Sequence, residues 1–194
     1  MEQLCERKDE LLKKLELCIE ERFLESCQVL QKIIDTSAEK IWDDFCSKIS
    51  SALQDTRKLQ LQNRKGSIQY LLFTFMQYST WINRLELCIS VLDDGFYLDE
   101  EDVKQYYVPD FLQGRYLEDI EYFYAKARES MVRLQDYELQ EINIYYSDFY
   151  NSILYKLVST MKDEIIELVM DSGISVTDRF MIIYGEYMGE GTIL

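Results

Sequence analysis

Histidine is absent from this chain of 194 residues. Its absence excludes Ser-His-Asp and Cys-His catalysis, His-ligated zinc, the two-histidine metalloprotease motif and the carboxylate-histidine di-iron site. It also removes the side chain most readily used for proton transfer near neutral pH. Proline occurs once, at Pro109, and glycine only seven times. No Pro-, Gly- or Ser-rich linker interrupts the chain. Residues 1–194 therefore read as a single domain of long helices and short connections.

Phosphate-cradling loops are missing as well. Gly185, Gly189 and Gly191 precede no helix whose N-terminus would hold a phosphate, and they read as turns after a strand. The longest apolar run, about Tyr70 to Met76, is too short to span a bilayer. Met1 to Glu10 is charged and mixed in sign, unlike a secretory signal. The five cysteines, Cys5, Cys18, Cys27, Cys46 and Cys88, are odd in number, dispersed and without a Cys-x-x-Cys pair. They read as small buried hydrophobes in a reducing, cytoplasmic compartment, and no metal or cofactor is expected.

Basic residues are scarce in one region above all. The formal charge of −15 comes from 36 acidic and 21 basic residues. Residues 1–66 are close to neutral, with 12 basic and 13 acidic side chains. Residues 93–148 hold 15 acidic side chains against 5 basic ones, together with nine of the fifteen tyrosines. This balance disfavours nucleic-acid binding through phosphate neutralisation. Arg57, Lys58, Arg64 and Lys65 make a small basic spot, which reads as favourable charge at a helix C-terminus.

What is present is a strong helical period. Leu12, Leu15, Ile19, Phe23, Cys27, Leu30, Ile34, Ala38, Ile41, Phe45, Ile49 and Ala52 follow one another in steps of 3 or 4. The mean step of about 3.64 fits a straight α-helix better than the 3.5 of a heptad coil. Thr36 and Glu39 have capping-box spacing, yet the stripe keeps its phase across 35–37. One helix, with a bend allowed, is the preferred reading. A second stripe runs from Leu117 to Leu134, and a third and wider one from Leu139 to Leu168. Gly173 suits the left-handed cap that ends the last helix.

The middle of the chain changes period. Leu85, Leu87, Ile89 and Val91 alternate with Glu86, Cys88 and Ser90, the pattern of a half-buried strand. Asp94-Gly95 supplies hairpin-turn chemistry, with Phe96-Tyr97-Leu98 as the returning strand. Asp99 to Tyr107 reads as a short helix capped by Asp99. Residues 68–75 read as a strand, with a buried helix running to Trp81 as the alternative. The fold expected is α+β and predominantly helical. Long amphipathic N-terminal and C-terminal helices pack on a small antiparallel sheet with strands at about 68–75, 84–92, 96–98 and 180–187.

Three functions fit these patterns. The first is a non-catalytic cytosolic binding protein that docks a basic protein through the acidic, Tyr-rich surface of 93–148. It would be of the inhibitor or immunity type, or a nucleic-acid mimic. The candidate contacts are Asp94, Tyr97, Glu100, Glu101, Asp102, Tyr106, Tyr107, Glu118, Glu121, Tyr122 and Tyr124. About half of these rings are expected to cap the core, and the segment's charge reads as surplus to the needs of the fold. The second is a scaffold that self-associates as a homodimer. The 41 residues spanned by its N-terminal stripe would reach about 61 Å at 1.5 Å per residue. The third is an enzyme using carboxylates. Glu118, Asp119 and Glu121 lie close together, as do Asp99, Glu101 and Asp102, a set that suits a hard cation. No membrane partner is expected.

Overall fold

In a computed structural model, residues 2–186 and 189–194 are described, with side chains from residue 7 onward. The fold is α+β and predominantly helical. Helix α1 covers Glu2–Leu61 and strand β1 Ile68–Phe75. A 3-10 turn at Gln77–Ile82 leads to β2, Leu87–Leu92, and a second at Phe96–Leu98 leads towards β3, Val103–Tyr107. Three helices follow: α2 (Asp110–Ser130), α3 (Asp136–Thr160) and α4 (Lys162–Asp171). Strands β4 (Val176–Glu186) and β5 (Gly191–Ile193) close the chain. Among the described residues, no helix is long and apolar enough to cross a membrane.

The described residues fall into two compact units. The helical unit takes the chain up to Ala38, Tyr78–Leu85 and Pro109–Ser152. The sheet unit takes Glu39–Gln77, Glu86–Val108 and Ile153–Leu194.

In the helical unit, Leu11, Leu15, Ile19 and Leu30 of α1 are buried. So are Leu112, Tyr116, Ile120, Phe123 and Ala127 of α2, and Leu139, Ile142, Tyr146 and Tyr150 of α3. The core is aromatic. Tyr146 meets Phe123 edge-on at 4.7 Å between centroids, and Phe149 meets Phe23 at 4.8 Å. Edge-to-face pairs of this kind add about 0.5–1.5 kcal/mol beyond area burial.

In the sheet unit the strand order is β3-β2-β1-β4-β5. Ile41, Phe45, Ile49, Ala52 and Leu53 of α1 are buried, and Phe45 lies 5.6 Å from Phe73 and 5.1 Å from Tyr107 between ring centroids. The stripe of α1 is thus buried at Leu15, Ile19, Leu30, Ile41, Phe45, Ile49 and Ala52, half-buried at Leu12, Phe23, Cys27 and Ile34, and exposed at Ala38.

Several expectations are corrected by the structure. The sheet is mixed: β1 pairs antiparallel with β2 but parallel with β4. The long connection through α2, α3 and α4 returns the chain in the direction of β1, as parallel neighbours require. Phe96-Tyr97-Leu98 is a 3-10 turn and not a strand. Gly95 stays right-handed at φ −68° and Phe96 takes the positive φ of 54°, so the tight hairpin does not form. The short helix read at 99–107 is instead loop and then β3, whose pairing with β2 overrides the local preference. β2 is buried along its whole length and not on one face only. Cys88 and Ser90 satisfy each other there at 3.6 Å. The last expected strand begins earlier, at Val176, and its predicted end at Tyr187 lies outside the described residues.

Helix α1 is continuous apart from Ser37, which leaves helical geometry at φ −134°, ψ 19°. The capping box does not form. Thr36 Oγ1 instead donates back to the Lys32 carbonyl at 2.8 Å, a bond that bends helices. The C-terminal helical stretch divides at Met161 into α3 and α4.

Candidate docking site

The eleven candidate contacts are divided between the two units. Asp94, Tyr97, Glu100, Glu101, Asp102, Tyr106 and Tyr107 belong to the sheet unit, and Glu118, Glu121, Tyr122 and Tyr124 to the helical unit.

In the sheet unit the loop between β2 and β3 is built from short-range Asp chemistry. Asp93 Oδ1 accepts the Gly95 amide at 2.8 Å, and Asp99 Oδ1 accepts the Glu101 amide at 3.0 Å. These are Asx turns, in which the side chain stands in for a backbone acceptor. Asp99 Oδ2 closes the loop by accepting the Asp93 amide at 3.0 Å. The Lys65 ammonium pairs with the same carboxylate and donates to the Glu101 carbonyl at 2.6 Å. Burial of Asp99 works to raise its pKa. The hydrogen bond from Lys65, the two amides and the lysine charge outweigh it and hold the carboxyl below its ordinary value. Arg64 adds a pair to Glu101 at 2.6 Å.

The loop surrounds an open cavity of about 450 Å³ lined by Arg64, Asp93, Asp94, Gly95, Leu98, Asp99, Glu100 and Glu101. Asp94 and Glu100 are exposed and make no ion pair among the described residues. Leu98 is 87 % exposed beside them, and Tyr97 stacks edge-on against Phe96 at 4.4 Å. Asp102 is exposed and pairs with Lys104. Tyr106 is exposed on β3, whereas Tyr107 lies in the core against Phe45 and offers no surface.

In the helical unit, Glu118 is exposed and pairs with Arg115 at 3.0 Å. Glu121 is exposed. The Arg22 guanidinium sits 4.9 Å from the centre of the Tyr122 ring, a cation–π arrangement. Tyr124 turns inward and donates to Asn143 Oδ1 at 2.8 Å.

Asp119, beside Glu118, behaves differently from its neighbours, being fully buried. Its Oδ1 receives Arg22 Nε at 2.7 Å and lies 3.4 Å from Arg115 Nε. Its Oδ2 accepts the hydroxyls of Ser26 at 2.5 Å, Tyr146 at 2.6 Å and Tyr150 at 3.0 Å. Burial, then the Asp119 charge and hydrogen bond among the further causes, push the Tyr146 and Tyr150 phenols well above their ordinary range. Four donors on two oxygens fill the carboxylate, and Arg115, whose Nε donates to Ser26 Oγ at 2.9 Å, adds a nearby charge, so its task is to tie α1, α2 and α3 together. The sequence carries a signal for this: Asp119 falls three residues after Tyr116 and four before Phe123, in phase with the buried stripe of α2.

The reading of the segment's charge as surplus is corrected in part. Asp99, Glu101, Asp119, Glu138 and Glu141 are paired with Lys65, Arg64, Arg22, Arg7 and Lys8 respectively. The near-neutral N-terminal third thus supplies cations for five of the fifteen acids of residues 93–148. Among the described residues, no group of three or more Cys, Asp or Glu side chains is placed to hold a metal ion. No protein-family model, no curated protein and no solved structure matches this chain.

Proposed function

We propose that the chain is a binding protein whose loop 93–101 receives a basic segment of a partner protein. One observation carries the reading. Asp94 and Glu100 present exposed carboxylates on a loop fixed from beneath by the buried Lys65–Asp99 pair, with Leu98 exposed at 87 % between them. A loop held in advance loses little entropy on binding, which favours recognition over mere charge attraction. The exposed leucine adds an apolar contact beside two anions, so the segment that fits carries Arg or Lys next to an apolar residue. A partner of this kind suits an inhibitor or immunity-type role, and also a mimic of nucleic acid towards a basic groove.

The test uses a synthetic peptide of alternating Arg and Leu as probe. Its affinity is measured by calorimetry for the chain, for Asp94→Asn/Glu100→Gln, and for a control of equal net charge, Glu16→Gln/Glu20→Gln. The reading expects the loop variant to bind at least tenfold more weakly and the control to bind like the parent. Equal weakening in both variants would reduce the effect to net charge and end the proposal.

A further inference from the structure

We draw no further inference here: the strongest candidate, the exposed apolar patch of Tyr78, Trp81 and Ile82 on the 3-10 turn at Gln77–Ile82, carries nothing because nothing in the structure shows what covers it.

Discussion

Lys65 and Asp99 form a buried ion pair in which neither side chain exposes more than 2 % of its area. The pair joins the connection between α1 and β1 to the acidic loop across 34 residues of sequence. With the Asp93 and Glu101 amides on the same carboxylate, it braces the loop, and the docking proposal rests on that bracing.

Lys65→Met leaves the Asp99 carboxylate buried without its cation. Removing one partner of a buried pair typically costs about 3–5 kcal/mol. The expected outcome is a loss of about 3 kcal/mol in urea unfolding, with faster amide exchange at 93–101. The double variant Lys65→Met/Asp99→Asn should recover part of that stability, because no unpaired charge remains and the side-chain oxygen still accepts a loop amide. A double variant as unstable as the single one would contradict this account of the pair.

The same pair sets a pH dependence. Asp99 has a folded pKa below its ordinary value of 3.8. The unfolded chain therefore takes up a proton first as pH falls, and the stability that Asp99 contributes is present above about pH 4 and lost below it. Unfolding midpoints measured from pH 5 down to pH 2 should fall more steeply for the parent than for Asp99→Asn. Parallel slopes would show that Asp99 is not the group responsible.

Asp119→Ala removes the acceptor for Arg22, Ser26, Tyr146 and Tyr150 together. Orphaned buried hydroxyls and a guanidinium left with Glu25 alone should cost about 3–5 kcal/mol. Thermal unfolding followed by near-ultraviolet circular dichroism reports on the tyrosine cluster directly. A change within about 0.5 kcal/mol would mean that the cluster is held by ring packing alone.

The Cys46 thiol is pushed up to about 11, first by burial and then by the charges of Asp43 and Glu164. A thiol with an ordinary value of 9.0 has about a hundredfold larger thiolate fraction at pH 8. In a variant retaining only this cysteine, alkylation by a maleimide at pH 8 should be at least about tenfold slower than for a free peptide thiol, the greater nucleophilicity of the Cys46 thiolate offsetting part of its scarcity. A rate within a few-fold of the peptide would refute the assignment.

How much of this was legible in the sequence depends on the range of the interaction involved. The stripes of α1, α2 and α3 were readable because helical period is a local property, repeated over many turns. The strand Val103–Tyr107 was not, because five residues preceded by Asp and Glu carry helix-start signals, and only pairing with Leu87–Val91 decides otherwise. The direction of β4 was also hidden, since it depends on how three helices return the chain. The site shows the same division. The acidic, Tyr-rich segment 93–148 was visible as composition, and the helical phase of Asp119 pointed inward. Which acids are consumed by Arg7, Lys8, Arg22, Arg64 and Lys65 was invisible, because each of those partners lies more than 30 residues away.

The docking proposal is tested most directly by amide chemical-shift mapping of the isotope-labelled chain titrated with the alternating Arg-Leu peptide. The account predicts perturbations concentrated at residues 93–101 and Arg64, saturating with the peptide and abolished in Asp94→Asn/Glu100→Gln. Perturbations spread evenly over exposed acids such as Glu121 of α2, or unchanged in the loop variant, would contradict it.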